Sequence, residues 1–217
     1  MDQKKDIGHL RKSYDKYSLG DELKSANPHQ LFVGWFDDAK DHPAIEEANA
    51  MSIVTIGVDQ FPKARVVLLK AYSEEGFIFY TNYNSDKGKS ILSHPKVGLS
   101  FFWPQLERQV IIRGIAEKVD PSVSDAYFYS RPLGSQLGAI ASAQSSIVAS
   151  SEVLEQELAL LNKKHKDTPP KRPDHWGGFL VRPMTIEFWQ GRPNRMHDRI
   201  EFTQLPSKKW EGKRLSP

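Results

Sequence analysis

Cysteine is absent from the 217 residues of this sequence, and its absence removes several kinds of chemistry. A chain without thiols forms no disulfides, uses no thiolate nucleophile and holds no metal through cysteine. No apolar run reaches membrane-spanning length, and residues 1–6 lack the apolar stretch of a secretory signal. We therefore expect a cytoplasmic protein that does not enter the membrane.

The sequence also lacks a strong charge bias and the common catalytic and metal-binding motifs. Thirty Lys and Arg residues against 27 Asp and Glu give a formal net charge of +3, which is too small to indicate nucleic-acid binding but permits local phosphate sites. None of the seven histidines occurs in an H-x-x-H, H-x-x-x-H or H-E-x-x-H pattern, so we predict no metal site. Neither a G-x-G-x-x-G loop nor a P-loop is present, and no Ser-His-Asp order or carboxylate pair indicates a hydrolase.

Aromatic residues and short β-type runs dominate what is present. Five Trp, eleven Phe and seven Tyr supply core material, although a hydrophobic fraction of 39% allows a partner subunit to complete the burial. Alternating runs predict strands over 52–58, 64–72, 77–82, 97–103, 109–119, 176–181, 185–190 and 199–205, with a last one near Trp210. Helices are predicted from Pro28, from Pro43, over 87–94, 123–130 and 135–141, and after a capping Ser151.

The order of these elements indicates the fold class. Strands in a mostly antiparallel order, with helices inserted between them, are typical of an α+β protein with a barrel-like sheet. Residues 1–27 are polar and mixed in charge. We therefore predict a flexible arm over 1–27 and a single domain over 28–217.

The stretch Arg195-Met196-His197-Asp198-Arg199 follows an aromatic run that ends at Gly191. In an extended segment, side chains two apart share a face, so Arg195, His197 and Arg199 are predicted to lie on one side. Three cationic or titratable groups on one face need water or an anionic ligand. A solvated edge strand and an anion-binding site both account for this pattern.

A second group of cations lies around the strands predicted over 64–72 and 77–82. Strict alternation places Arg65 and Lys70 on opposite faces, so one ligand that touches both requires a twist or a bulge. Tyr80-Thr81-Asn82 is followed by Ser85 and Lys87 at a helix start, where unpaired N–H groups and positive charge suit a phosphate. An ordinary helix cap with solvent-exposed lysines is the alternative.

Two further groups of polar residues have the character of ligand contacts. Gln109 opens a long predicted strand and Gln144-Ser145 lies in a loop, and such side chains can bind the polar edge of a flat heterocycle. Tyr127 and Arg131 are four apart, so a continuing helix would place them on one face near Ser135, as a second phosphate site. The glutamine and serine residues of the first group are also consistent with ordinary loop chemistry. Together, phosphate and aromatic contacts without hydrolytic residues favour an enzyme whose cofactor performs the chemistry.

These motifs also carry a resemblance that runs from His9 almost to the C-terminus. The chain resembles the pyridoxine/pyridoxamine 5′-phosphate oxidase family, flavoenzymes that make pyridoxal 5′-phosphate. The matching segments are 65–70, 79–82, 107–110, 130–132, 135–138, 144–146, 176–179, 187–191, 195–199 and 214–217. Each segment is short, but their number, order and spacing argue against chance.

The resemblance implies a split-barrel FMN-binding fold and a homodimer with FMN at the subunit interface. It implies oxidation of pyridoxine 5′-phosphate and pyridoxamine 5′-phosphate by O2, with release of H2O2 and, from the amine, ammonia. The implied FMN ligands are Arg65, Val66, Lys70, Tyr80, Thr81, Lys87, Gln109, Gln144, Ser145, Trp189 and Arg199. The implied substrate ligands are Lys70, Tyr127, Arg131 and Ser135 for the phosphate, Arg195 and His197 as catalytic residues over the ring, and Arg11 and Tyr14 from the arm.

Two residues depart from the family pattern: Met196 replaces a usual leucine, which is a mild change in volume, and Asp86 matters more. A basic residue usually stands where this chain has Asp86, and a carboxylate there would repel the flavin phosphate, so Asp86 is not carried over as a ligand. Two alternatives stay open. A related split-barrel flavin reductase should lack the phosphate cluster of Tyr127, Arg131 and Ser135, and a non-catalytic pyridoxal-phosphate-binding protein should be colourless.

Overall fold

The computed structural model describes residues 5–217, which form two compact units. The first unit comprises the chain up to Ala48, Phe101–Ile111 and Thr185–Pro217. The second unit comprises Asn49–Ser100 and Ile112–Met184. The division into a flexible arm and a single domain stays a prediction.

Five α-helices and nine strands form the regular structure of the described residues. The helices are α1 (Pro28–Asp41), α2 (Asp86–Ser93), α3 (Pro121–Ser130), α4 (Leu133–Ala141) and α5 (Ser151–Lys164). The strands are β1 (Ala50–Ile56), β2 (Pro62–Leu68), β3 (Ala71–Ser73), β4 (Gly76–Asn82), β5 (Lys96–Trp103), β6 (Arg108–Lys118), β7 (Trp176–Gln190), β8 (Asp198–Gln204) and β9 (Trp210–Leu215). Short 3₁₀ turns occupy Asp21–Ser25 and Pro193–Arg195.

The strands hydrogen-bond in the order β2-β1-β5-β6-β7-β4-β3, with β8 on β7 and β9 on β8. Strands β5, β6 and β7 contribute residues to both units. In the second unit β1 pairs antiparallel with β2 and β5, and β4 pairs antiparallel with β7. In the first unit β8 lies antiparallel between β7 and β9. The sheet is therefore mostly antiparallel, as predicted.

The core of each unit follows from residue patterning. In the second unit, β1 alternates buried and half-buried residues, and Phe79 of β4 stacks on Phe179 of β7 with ring centroids 5.7 Å apart. In the first unit, Asn27 caps α1 by accepting a hydrogen bond from the His29 backbone N–H at 2.9 Å. This helix buries Trp35, whose ring meets Phe188 edge-on at 5.1 Å.

Several predicted element boundaries are wrong. The predicted helix at Pro43 is a single turn, which the Ile45 N–H closes by donating to the His42 carbonyl at 3.0 Å. The predicted strand 64–72 breaks at Leu69–Lys70, where the backbone bonding partner changes from Asn49 to Ile78. Ser150, not Ser151, is the residue that precedes α5 as its N-cap.

The two strands predicted over 176–181 and 185–190 are one continuous strand, β7. Pro183 lies inside it, between the segment that pairs with β4 and the segment that pairs with β8. Pro183 lies outside both of these ladders, so its missing N–H removes no hydrogen bond from either of them. A proline in a strand pattern therefore did not end the strand here.

Candidate functional site

A cavity of about 720 Å³ in the second unit brings together residues that are far apart in sequence. Strands β2 and β4, helices α3 and α4 and the loop before α5 all contribute to its wall. The predicted site residues that line it are Val66, Lys70, Tyr80, Thr81, Lys87, Tyr127, Arg131, Ser135 and Gln144. Residues assigned to the flavin and to the substrate phosphate therefore share one cavity.

Lys87 supplies a buried cation to this cavity. Its side chain is only 9% exposed, and its Nζ donates to Thr81 Oγ1 at 3.3 Å and Gln144 Oε1 at 3.1 Å. Burial lowers the pKa of Lys87, the positive charge of Arg65 lowers it further, and Asp86 opposes both effects. Neutral oxygens hold this ammonium group, so its charge is available to an anion.

The local sequence explains how Lys87 reaches the cavity. Ser85 caps α2: its hydroxyl accepts from the Gly88 N–H at 3.2 Å and donates to the Asn82 carbonyl at 2.7 Å. A Cβ on Gly88 would lie 2.3 Å from the Tyr83 carbonyl oxygen, so only glycine fits this turn. The tight turn between β4 and α2 thereby directs Lys87 back to the end of β4.

Arg65 and Lys70 occupy different positions, but Lys70 lies beyond the end of β2, so the predicted alternation along one strand does not extend to it. Lys70 lines the cavity, whereas the Arg65 guanidinium donates to Thr55 Oγ1 and the Lys63 carbonyl, each at 2.7 Å. Arg65 still acts on the cavity through its charge, because it lowers the pKa of Lys87. Burial lowers the pKa of Arg65 itself, and Asp86 opposes this.

Three nearly parallel aromatic rings form one wall of the cavity. Tyr80 stacks on Tyr127 with ring centroids 4.0 Å apart and on Trp176 at 5.5 Å. The Arg131 guanidinium lies 4.7 Å from the centroid of the Trp176 ring. Trp176 was not predicted as a site residue, because no spacing rule links positions 80, 127 and 176. The segment 176–179 was noted only as one of those that carry the family resemblance.

Arg131 reaches the cavity for a different reason from the one predicted. Helix α3 ends at Ser130, and Arg131 is its C-cap with an extended backbone, so Tyr127 and Arg131 do not share a helical face. Both nevertheless line the cavity. Among residues 5–217, the buried Nη1 of Arg131 finds no hydrogen-bond partner. Burial lowers the pKa of Arg131, while Tyr127 raises it.

A separate cavity of about 420 Å³ lies in the first unit. It is lined by the predicted residues Arg11, Tyr14, Arg195 and His197, and also by Leu10, Lys12, Ser13, Arg192 and Asn194. The Tyr14 ring meets Trp189 edge-on at 5.8 Å, and Trp189 lies 4.7 Å from His197. The sequence placed these residues in one site only through the family resemblance.

Glu107 binds residues of the N-terminal arm within the first unit. Its side chain is 1% exposed, and its Oε2 accepts from the backbone N–H groups of Asp15 at 2.9 Å and Lys16 at 3.2 Å. Lys12 lies 3.5 Å from its other carboxylate oxygen. A buried carboxylate needs such partners, so the arm compensates this charge. Sequence reasoning treated Glu107 only as the start of a motif.

The stretch from Arg195 to Arg199 does not form the extended segment that was predicted. Pro193–Arg195 is a 3₁₀ turn in which Asn194 and Arg195 have φ values of 55° and 61°. Strand β8 begins only at Asp198. The predicted shared face of Arg195, His197 and Arg199 is therefore wrong, because the turn breaks the two-residue period.

His197 and Arg199 are each fixed by partners within the first unit. The Nδ1 of His197 accepts from the Arg192 backbone N–H at 3.1 Å. Arg199 forms a two-point ion pair with Glu187, at 2.7 and 3.1 Å, which raises the pKa of Arg199. Its Nη1 also donates to the Ser216 carbonyl at 2.9 Å.

Five predicted flavin ligands line neither cavity: Arg65, Gln109, Ser145, Trp189 and Arg199. Gln109 belongs to β6 in the first unit. Ser145 has a φ of 71° and lines a cavity of about 510 Å³ beside α5 in the second unit. The structure therefore gathers most of the predicted site residues into two cavities and leaves five of the predicted flavin ligands outside their linings.

The described residues contain neither a metal-binding group of side chains nor a membrane-spanning helix. Within residues 5–217, no group of three His, Cys, Asp or Glu side chains is arranged to hold a metal ion. None of the helices in the same range combines the length and the apolar character that a membrane crossing requires.

Comparison with known proteins decides the family. Residues 38–164 match the family model described as pyridoxamine 5′-phosphate oxidase, and residues 176–217 match the pyridoxine 5′-phosphate oxidase C-terminal dimerisation region. The chain belongs to the pyridoxine/pyridoxamine 5′-phosphate oxidase family. The resemblance noted in the sequence is thereby confirmed.

Curated members of the pyridoxine/pyridoxamine 5′-phosphate oxidase family match over nearly the whole chain. The oxidase of Flavobacterium johnsoniae is 53% identical over 211 residues, which cover 97% of this chain and 99% of the relative. The oxidase of Flavobacterium psychrophilum is 50% identical and covers 98% of this chain and 100% of its own. The alignments with these two relatives cover nearly the whole of both chains.

Solved structures confirm the fold. PhzG from Burkholderia lata 383, solved with tetrahydrophenazine-1-carboxylic acid, superposes with a TM-score of 0.85 at 24% identity and covers 95% of this chain and 100% of its own. An oxidase-related FMN-binding protein from Nostoc punctiforme gives a TM-score of 0.69 at 14% identity, covering 89% and 100%. The predicted α+β split barrel with peripheral helices is confirmed.

Proposed function

We propose that this family member oxidises pyridoxine 5′-phosphate and pyridoxamine 5′-phosphate to pyridoxal 5′-phosphate, with FMN as cofactor and O2 as acceptor. The alcohol and one O2 give the aldehyde and H2O2, and the amine also consumes water and releases ammonia. The observation that carries the proposal is a cationic cavity in which the buried Nη1 of Arg131 has no partner among the described residues. An unpaired buried donor of this kind suits an anionic ligand.

Lys70, Tyr127, Arg131 and Ser135 are the proposed ligands of the substrate phosphate. All four line the cavity, and they offer an ammonium group, a phenol, a guanidinium group and a hydroxyl. A guanidinium can contact two phosphate oxygens at once, which fixes orientation as well as binding. This cluster distinguishes the proposal from a flavin reductase that uses another donor.

A second group of residues in the same cavity suits a flavin phosphate. Lys87 is buried and its Nζ donates to the neutral oxygens of Thr81 and Gln144, while Arg65 adds positive charge. We propose that FMN is held by Arg65, Val66, Lys70, Tyr80, Thr81, Lys87, Gln109, Gln144, Ser145, Trp189 and Arg199. Bound FMN supplies a two-electron acceptor that O2 can reoxidise.

Arg195 and His197 are the proposed catalytic residues, with Arg11 and Tyr14 as further substrate contacts. Because His197 Nδ1 accepts a hydrogen bond, the neutral ring carries its proton on Nε2 and can donate it to a polar substituent of the substrate. Arg195 is exposed in its turn and can contact the substrate ring. Their role is to orient the substrate, since the electron transfer belongs to the flavin.

We further propose that the protein is a homodimer with FMN at the interface and that it resides in the cytoplasm. The match of residues 176–217 to a dimerisation region supports the dimer. A two-fold dimer is the commonest closed assembly of soluble proteins. Light scattering on the yellow protein tests this, and a flavin-loaded, fully active monomer would contradict it.

Purification and steady-state assay test the proposed function. The purified protein should be yellow, release FMN on denaturation and consume O2 with pyridoxine 5′-phosphate but not with pyridoxine at the same concentration. A colourless protein that binds pyridoxal 5′-phosphate would support the non-catalytic alternative. A yellow protein that oxidises neither phosphate ester would support a flavin reductase.

A further inference from the structure

Arg131 is held in the cavity wall without a carboxylate counter-ion. Within residues 5–217 it forms no ion pair, and its buried Nη1 lacks a hydrogen-bond partner. Its backbone carbonyl accepts from Gln136 Nε2 at 2.8 Å, which fixes the main chain but not the guanidinium. Burial also lowers the pKa of Arg131. Something other than a negative charge must hold this cation in place.

The indole of Trp176 provides that contact. The Arg131 Cζ lies 4.7 Å from the Trp176 ring centroid, and Trp176 is 6% exposed. The indole packs in turn against Tyr80 at 5.5 Å and edge-on against Phe128 at 5.4 Å. A cation over a desolvated indole face is attracted by the negative charge density of the ring.

A neighbouring arginine shows the alternative arrangement. Arg172 donates from Nη1 to the Trp176 carbonyl at 2.6 Å, and its Nε donates to Asp125 at 2.7 Å. This arginine is paired with a carboxylate and serves to fix the backbone of Trp176. A carboxylate on Arg131 would hold it equally well, but it would neutralise the charge and repel an incoming phosphate.

We propose that Trp176 is a positioning residue that holds Arg131 for the phosphate of the substrate while leaving its charge unpaired. The inference rests on the proposed function, because it takes Arg131 as a phosphate ligand. Trp176 thereby contributes to the preference for phosphorylated substrates through Arg131. The indole is neutral, so it orients the guanidinium without competing with the ligand for charge.

The test measures binding of two unreactive ligands to the flavin-loaded protein by titration calorimetry. 4-Deoxypyridoxine 5′-phosphate has no oxidisable group at C4′, and 4-deoxypyridoxine also lacks the phosphate. Trp176→Leu should weaken binding of the phosphate ester about tenfold or more and leave binding of 4-deoxypyridoxine within about twofold, since only the ester depends on the guanidinium that the cation–π contact holds. Trp176→Phe should retain most of the affinity, because a phenyl ring still presents a π face.

A double-mutant cycle separates positioning from a general structural role. In an Arg131→Met background, which removes the cation, Trp176→Leu should cause little further loss of affinity for the phosphate ester. Equal losses in both backgrounds would overturn the proposal. If Trp176→Leu does not fold, a polyfluorinated tryptophan at position 176 keeps the ring shape and weakens its negative face. Affinity for the phosphate ester should then fall with fluorination, and an unchanged affinity would overturn the proposal.

The same binding measurements distinguish failure of the proposed phosphate site from failure of the proposed role of Trp176. If the wild-type protein binds the phosphate ester no better than 4-deoxypyridoxine, the assigned phosphate site is wrong and the inference falls with it. If the wild type prefers the ester and folded Trp176→Leu prefers it equally, the site stands and the role of Trp176 is refuted. Trp103→Phe is the matched control, because Trp103 is a buried tryptophan of the first unit.

Discussion

The Nδ1 of His197 accepts a hydrogen bond from the backbone N–H of Arg192 at 3.1 Å. A backbone N–H can only donate, so this ring nitrogen carries no proton and the neutral imidazole must carry its proton on Nε2. The bond spans the turn that contains Pro193, Asn194 and Arg195. One hydrogen bond thus fixes both the tautomer of His197 and the closure of the turn.

The first prediction concerns the donor at His197. His197→Gln keeps an N–H donor at a similar reach, whereas His197→Ala removes it. We expect His197→Ala to slow anaerobic flavin reduction by about 100-fold, since loss of positioning can cost this much, and His197→Gln to lose less. Nitrogen NMR of the wild type should show a protonated Nε2. Equal rates in the two variants would mean that the donor does not contribute.

The second prediction concerns pH and Lys87. Only the charged lysine attracts a phosphate dianion, so FMN affinity should fall as pH rises through the pKa of Lys87. Burial and Arg65 lower that pKa, so the loss should begin below the ordinary lysine value of about 10.4. The Lys87→Arg variant keeps its positive charge, so its FMN affinity should not change over the same pH range. Flavin fluorescence titrations at increasing pH measure this, and parallel curves for both proteins would contradict it.

The third prediction concerns Asp86, the first residue of α2. Its negative charge opposes the effect of Arg65 on Lys87, so Asp86→Asn should tighten FMN binding and Asp86→Arg should tighten it further. The Asp86 side chain is exposed, so each substitution should raise FMN affinity by about two- to fivefold. This gain in affinity should decrease at high salt. The same substitutions remove an acidic residue from the start of the helix, which should lower thermal stability slightly. Unchanged FMN affinity would mean that Asp86 is neutral toward the flavin.

The fourth prediction concerns Arg131. Arg131→Ala should raise the KM for pyridoxine 5′-phosphate by about 10- to 100-fold, because a charge-assisted contact to phosphate is worth about 1.5–3 kcal/mol. Arg131→Lys should raise the KM by a smaller factor than Arg131→Ala but should not restore the wild-type value, since lysine cannot bind two phosphate oxygens at once. Arg182→Ala is the matched control, because Arg182 is an exposed arginine paired with Glu117 in the same unit. Loss of FMN with an unchanged KM in Arg131→Ala would show that the site is misassigned.

The sequence predicted strands and helices well where the pattern is local. Alternation identified β1, β4 and β5, and Pro28 marked the start of α1. It failed where the backbone changes partners, as at Leu69–Lys70, because hydrogen bonds to Asn49 and Ile78 come from distant positions. It also failed at Arg195, where left-handed backbone conformations replace the extended segment.

The candidate site was predictable only in part, for the same reason. Individual phosphate-binding residues could be recognised by charge and hydroxyl groups, and the resemblance to the family joined them into one site. The stacking of Trp176 on Tyr80 and the burial of Glu107 against the arm depend on tertiary packing. No periodicity in the sequence encodes contacts between residues about 90 positions apart, such as those of Glu107 with Asp15 and Lys16.

The most direct test of the central claim is anaerobic addition of pyridoxamine 5′-phosphate to the purified yellow protein, followed by its absorbance spectrum. The account predicts loss of the oxidised flavin bands with formation of pyridoxal 5′-phosphate, and recovery of the bands when O2 is admitted. Pyridoxamine at the same concentration should leave the spectrum nearly unchanged, because it lacks the phosphate that Arg131 and its neighbours bind. An oxidised spectrum that persists with pyridoxamine 5′-phosphate, in a protein whose flavin a chemical reductant does reduce, would contradict the assigned activity.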